Sequence, residues 1–165
     1  MRHIPVGSPF SVLDFRLAGR APNNRWNAPG EPTPYLASDR AVAFAEFARH
    51  LQVDRSRQQT SGIVERAVFR LEVDLASVLD LREPQASEAL SLRGAPACFL
   101  DRAVAQATAH YVRHTTAAQA IVVPSMAFLD HPERWIMAVF LEKLSPEPER
   151  FVTRVHAEGS FRVEL

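Results

Sequence analysis

Cysteine occurs once in the 165 residues, at Cys98, so the chain cannot build an intramolecular disulfide framework or a cysteine-rich zinc site. Glycine is almost as scarce. The six glycines, Gly7, Gly19, Gly30, Gly62, Gly94 and Gly159, lie too far apart for a Rossmann fingerprint or a P-loop, which argues against a dinucleotide dehydrogenase and a P-loop kinase. No serine stands in a nucleophile elbow, and Cys98 lies in Ala95-Pro96-Ala97-Cys98-Phe99, an apolar run that suggests burial rather than activation. An excess of either charge is also missing. With 19 basic and 19 acidic residues, no overall field draws the chain to nucleic acid or to an anionic membrane. Lysine is nearly absent, Lys143 being the single one among the basic residues. No apolar stretch approaches the roughly 18 residues of a membrane span, and Met1-Arg2-His3-Ile4-Pro5 lacks a signal-peptide core. The expectation is a soluble cytoplasmic protein.

What is present is a 47% hydrophobic chain without a linker or composition shift, long enough for a single domain spanning residues 1–165 with a sizeable core. Up to about Pro34 the chain is rich in Pro and Asn and reads as a loop-rich entry, with Val12 to Leu17 as its strand candidate. Tyr35 to Ala37 reads as a short strand. Ser38 or Asp39 is placed to cap a helix from about Arg40 to Leu51, with Ala41, Phe44, Ala45, Ala48 and Leu51 on one face. A polar loop, Asp54 to Gly62, precedes Phe69 to Leu75, whose strict alternation predicts a strand with one wet face. Asp101 to about His114 predicts a second helix, and Ala120-Ile121-Val122-Val123 a strand covered on both faces, ending at Pro124-Ser125. Trp135 to Leu141, Phe151 to Val155 and Phe161 to Leu165 are further strand candidates. The predicted class is α+β.

The residues that carry chemistry begin at Arg25-Trp26-Asn27-Ala28-Pro29-Gly30 and run through Tyr35 to Glu46. They place a cation, a phenol and a carboxylate at intervals suited to gripping a charged, aromatic, phosphorylated molecule. Each also has an ordinary structural reading. On a helical wheel Glu46 falls beside Arg49 and His50, away from the apolar stripe, where an exposed ion pair contributes a few tenths of a kcal/mol. Tyr35 suits the start of a half-buried strand, Arg25 a solvated loop, and Ser125 a turn after a strand. His110 and His114 stand four apart on a helix, half of a zinc site, but no Glu follows His110 and the sequence offers no obvious third ligand. They read as surface histidines, and no metal site is expected.

The order of these pieces resembles the RES-domain family, named for its Arg, Glu and Ser. The resemblance starts at Arg25-Trp26-Asn27 with Pro29-Gly30, continues through Tyr35-Leu36-Ala37 and Ala41-Val42-Ala43-Phe44-Ala45-Glu46, and resumes at Val122-Val123-Pro124-Ser125 and Ile136 to Phe140. It covers about residues 16 to 142. It implies a fold similar to the ADP-ribosyltransferase core, with mixed and antiparallel sheets and flanking helices. It also implies an active-site set of Arg25, Tyr35, Glu46 and Ser125, with Trp26 and Asn27 as further ligand contacts. Many members are bacterial toxins that consume NAD by hydrolysis or phosphorolysis. The implied substrate is therefore NAD, with inorganic phosphate as a second substrate in the phosphorolytic case and no separate cofactor. A small helix-turn-helix (Xre-like) antitoxin is the implied partner, and a homo-oligomer stays open. ADP-ribose transfer to a macromolecule, or nucleotide binding without chemistry, is the alternative.

Physical chemistry is compatible with that expectation. NAD is anionic at its pyrophosphate and cationic at its nicotinamide, so a pocket for it needs both signs of charge. Arg25 and Glu46 supply them. Breaking the nicotinamide to ribose bond builds positive charge on the sugar and releases a neutral base, so one carboxylate suffices without a general acid. The chain departs from the family pattern after Pro124-Ser125, where Asp130-His131-Pro132-Glu133-Arg134-Trp135 replaces a Gly-rich turn and an Asn. Arg134 or Trp135 is then a candidate for the pocket wall. Ahead of Arg25 the chain carries Asn23-Asn24 where the family often has glycines, and Arg16 or Arg20 is the candidate for a second basic contact.

Overall fold

A computed structural model describes residues 1–21, 24–55, 63–144 and 146–164. In chain order these form β1 (Arg2–Pro5), β2 (Tyr35–Ala37), α1 (Arg40–Arg55), β3 (Ile63–Val73), β4 (Val78–Asp80), α2 (Pro84–Ala89), α3 (Arg102–Thr115), β5 (Ala120–Pro124), β6 (Trp135–Val139) and β7 (Val152–Glu164). Two sheets result. One has the order β1-β3-β7 and is antiparallel, and the other has the order β2-β6-β5-β4, with only β4 and β5 parallel. The expected α+β class holds. No described helix is long and apolar enough to cross a membrane.

β5 is the centre of the four-stranded sheet, and all five of its residues are buried, as its continuous apolar run predicts. α3 packs on that sheet through Ala105, Ala109 and Val112, all fully buried. Two of these are alanines, which let the helix axis approach closely. Asp101 starts this helix by accepting from the Ala103 N–H at 2.8 Å, leaving Arg102 as its first residue.

Helix α1 is capped by Asp39, whose Oδ1 accepts from the Val42 N–H at 2.9 Å. It runs on to Arg55, so the expected loop from Asp54 begins as helix, and 56–62 lie outside the described residues. The single apolar stripe expected for this helix is not what packs. Val42 and Ala43 enter the core of the four-stranded sheet, while Phe44 and Phe47 meet Phe161 of β7 at 5.3 and 5.9 Å between ring centroids. Phe44 stays exposed and Ala41 faces solvent. Serving two sheets at once, α1 has no single buried face for a wheel to find, and Glu46 turns toward Ser125 at the end of β5.

Val12 to Leu17 is not a strand. The Ser11 and Asp14 side chains accept from the Leu13 and Arg16 N–H groups at 3.1 Å each, so the backbone is satisfied locally and turns instead. The two late strand candidates, from Phe151 and from Phe161, are one strand, β7, paired to β3 along its length. The register shifts between Ala67 and Phe69, opposite Gly159 at φ +89°, and this bulge breaks the alternation that a sequence reading relies on. β1, β4 and α2 have three to six residues each and carry too few side chains to show a period.

Candidate active site

The loop from Arg25 to Glu31 is fastened from several sides. Ala28-Pro29-Gly30-Glu31 closes as a turn, with the Glu31 N–H donating to the Ala28 carbonyl at 3.2 Å and Gly30 at φ +91°, the third-position geometry for which glycine is suited. Asn27 is 1% exposed. Its Nδ2 donates to the Gly19 and Ala28 carbonyls at 3.0 and 2.7 Å, and its Oδ1 accepts from the Tyr35 hydroxyl at 2.7 Å. Gly19, at φ +78°, lets the entry segment press against this turn, since a Cβ there would lie 1.8 Å from the Glu31 carbonyl oxygen. The Tyr35 hydroxyl also accepts from the Trp26 N–H at 3.0 Å, and the Trp26 ring meets Phe99 edge-on at 4.9 Å. Burial raises the Tyr35 phenol well above its ordinary pKa, so the ring is neutral and its oxygen is occupied in holding the loop.

Glu46 approaches this loop from α1. Its Oε1 accepts from the Ser125 hydroxyl at 2.6 Å and from the Ala127 N–H at 3.3 Å, while Oε2 lies 3.9 Å from Arg49. Ser125 has no exposed surface, and its own Oγ accepts from the same Ala127 N–H at 3.3 Å. The carboxylate side chain is 18% exposed. A buried strand end and one backbone amide thus fix a carboxylate whose outer edge still reaches solvent.

That edge forms part of a pocket with an enclosed volume of about 180 Å³, lined by Arg25, Trp26, Tyr35, Glu46, Arg49 and Arg102 among others. Typical ligand pockets hold roughly 300–1,000 Å³, so the volume here is small beside a site that encloses a whole large ligand. Arg25 spans the gap between loop and helix. Its Nη1 donates to the Phe99 and Leu100 carbonyls at 2.6 and 3.0 Å, just ahead of α3. Burial and the neighbouring Arg49 lower its pKa, but a guanidinium this far above neutrality stays charged. Arg102 is the first residue of α3, so the positive end of that helix dipole adds to the basic side of the pocket.

A family model for the RES domain matches residues 3–162. The chain belongs to the RES-domain family. A solved structure, the M. tuberculosis MbcT-MbcA toxin-antitoxin complex, is similar in fold over 99% of this chain and 81% of the matched chain, with a TM-score of 0.58 and 22% identity. A comparison with curated proteins gives no match.

In this RES domain the four residues of the expected set come together, but in unequal positions. Arg25, Tyr35, Glu46 and Trp26 line the pocket. Asn27 and Ser125 do not, because each is buried with its polar atoms directed at protein partners. In this structure Asn27 braces the loop and Ser125 braces Glu46. Arg134 lies over the Phe128 ring at 4.2 Å and Trp135 near Arg82 at 5.7 Å, so neither joins the pocket wall. Arg16 pairs with Asp14, and Arg20 is exposed; neither is among the lining residues. The further basic contacts come from Arg49, His50 and Arg102. Arg49 and His50 follow Glu46 by three and four residues, so once Glu46 is turned inward, helical spacing alone brings them along.

Proposed function

We propose that this protein cleaves the bond between nicotinamide and ribose in NAD. The observation that carries this reading is the Glu46 carboxylate, held by Ser125 and Ala127 at the wall of a pocket whose other charged side chains are arginines. The nicotinamide riboside end occupies the enclosed part, with the Trp26 and Tyr35 side chains beside the ring. The pyrophosphate lies toward Arg25, Arg49 and Arg102, where guanidinium groups match phosphate oxygens. As the C1′ to nitrogen bond breaks, its electron pair leaves with nicotinamide, which departs neutral, and positive charge spreads over C1′ and the ring oxygen. Glu46 stabilises that charge and orients the acceptor. With water as acceptor, the oxygen bonds to C1′ and its proton passes to the carboxylate or to solvent. With phosphate as acceptor, a phosphate oxygen bonds to that same carbon and ADP-ribose phosphorylated there is the product.

Family membership and the likeness to a chain of a toxin-antitoxin complex favour a toxin role, with a small Xre-like helix-turn-helix antitoxin covering the pocket. The test is nicotinamide release from NAD by the purified chain, with and without inorganic phosphate. Glu46→Gln is expected to lower the rate about 10³-fold, in the range for a positioned carboxylate. A parental rate in that variant removes Glu46 from the chemistry. Label transferred to protein or nucleic acid would replace hydrolysis by ADP-ribosylation, and intact NAD would leave a binding protein.

A further inference from the structure

Where α3 passes the Arg25–Glu31 loop, His110 and His114 point at Glu31. The His110 Nδ1 lies 3.1 Å and the His114 Nε2 3.8 Å from Glu31 Oε1, the two imidazole centroids are 4.2 Å apart, and one donor atom from each residue falls within 4.8 Å of the others. Neither histidine belongs to the pocket described above. In a tetrahedral zinc site with bonds of roughly 2.0–2.1 Å, neighbouring donors are separated by about 3.4 Å, and the two nitrogen to oxygen separations, 3.1 and 3.8 Å, bracket that value.

The carboxylate is already oriented for this. Glu31 Oε2 accepts from the Ala28 N–H at 2.7 Å and lies 3.7 Å from the Nε of Arg113, a side chain that is almost wholly buried. Oε1 is thereby turned toward the imidazoles. A fixed second layer of this kind is what holds a ligating carboxylate in one orientation. The histidine side chains are about 60% exposed, leaving an open side for ion entry and for a water as fourth ligand.

We propose that Glu31, His110 and His114 bind a divalent transition-metal ion of the zinc class, fastening the turn at Glu31 to α3. The carboxylate and two imidazoles suit such an ion better than calcium or magnesium, which take oxygen ligands. The same loop carries Arg25, Trp26 and Asn27, so an ion here ties the wall of the candidate active site to the helix that supplies Arg102. The proposal stands on this geometry and not on the identity of the substrate.

Titration of the untagged full-length protein with Zn²⁺ by calorimetry, paired with thermal melts, tests it. One equivalent is expected to bind with micromolar or tighter affinity and to raise the melting temperature. His110→Ala and His114→Ala, both at exposed positions that do not threaten folding, are each expected to weaken binding at least tenfold and to abolish the thermal shift. The absence of saturable one-equivalent binding overturns the proposal. So does binding undiminished in both variants, which would place the ion at another histidine.

Discussion

The half of the molecule around the four-stranded sheet and the half around β1-β3-β7 are held together differently. Among the described residues, the buried polar ones, Asn27, Thr33, Thr108, Arg113 and Ser125, all belong to the first half, in the loops and in α3 that pack on its sheet. Each makes directed hydrogen bonds: Arg113 Nη2 donates to Thr33 Oγ1 at 2.6 Å and Nη1 to Glu142 at 2.5 Å, with the guanidinium 4.3 Å over Phe140, Asn27 Oδ1 accepts from Tyr35, Thr108 donates to the Val104 carbonyl, and Ser125 donates to Glu46. The second half relies on an apolar contact layer, Phe44, Phe47 and Phe161, and on ion pairs at the surface, such as Arg70 with Glu158 and Arg162 with Glu65. Buried polar groups are costly when unmatched and directional when matched. They collect where side chains must be aimed. The half that carries the candidate site is therefore expected to be the less tolerant of substitution.

Arg113→Met is the strongest way to break this contrast. It fills much of the same volume but leaves Thr33 and Glu142 without their shared donor and Glu31 without the charge 3.7 Å away. Removing one member of a buried ionic cluster costs about 3–5 kcal/mol. For a chain of this size that amounts to roughly 10 °C in melting temperature. The contrast survives only if calorimetry finds a loss of that order. A near-neutral result would mean that the Arg113 Nε, which has no hydrogen-bond partner among the described residues, marks a charge the fold would do as well without.

The second test probes an exception on the other side. His3 of β1 is packed edge-on between Phe47 and Phe161 and accepts from the Arg66 Nε at 3.0 Å. Burial first, then the positive charges of Arg66 and Arg2, lowers its pKa to about 3. In the unfolded chain a histidine titrates near 6.5, so between about pH 6.5 and 3 the unfolded state binds the extra proton. The stabilising contribution of neutral His3 is complete above that window and is lost as pH falls through it. By pH 5 the loss is about 2 kcal/mol. Denaturant unfolding at pH 7 and pH 5 measures it, and His3→Phe is expected to flatten the slope. A slope equally steep in that variant would assign the acid sensitivity to the carboxylates instead.

A smaller stability effect, but one with a functional readout, is expected for Tyr35→Phe. The change deletes the hydroxyl that joins the Trp26 N–H to Asn27 Oδ1 while keeping the ring. Leaving that donor and acceptor unmatched costs roughly 1–2 kcal/mol. If Tyr35 acts by positioning the loop, kcat for NAD cleavage falls with the loop's order, and the pH profile keeps its shape. A changed pH profile would instead make the phenol a titrating participant.

These residues also show how far a sequence can be read. Ala120 to Val123 and the helix from Asp101 were legible because their periods are uninterrupted and their neighbours uniform. The late strand was divided because one bulge at Gly159 resets the alternation. Glu46 was the hard case. Its helix touches two sheets, so its inward face is defined by what lies across from it, Ser125 some 79 residues away in sequence. Only the ordered resemblance to a family pointed to that pairing. The roles of Asn27 and Ser125 as supports rather than pocket wall depend on burial, which residue type does not disclose. The Glu31, His110 and His114 cluster was missed for the same reason, since its third member lies 79 residues from the first histidine and on a loop.

The smallest effect is expected at the β3-β7 edge, and it is the control for the whole comparison. Arg70 Nε meets Glu158 Oε1 at 3.2 Å, with the two side chains 52% and 36% exposed. Exposed pairs of this kind trade one hydrated charge for another and order two long side chains, so their net contribution is about 0–1 kcal/mol. Arg70→Ala, Glu158→Ala and the double variant form a cycle whose coupling energy is expected below about 0.5 kcal/mol, and lower still at high salt. NAD cleavage should be unchanged in all three. A coupling of 2 kcal/mol or more would show that this sheet, too, is held by directional polar contacts. The two halves would then differ in where their polar groups lie and not in how much the fold depends on them.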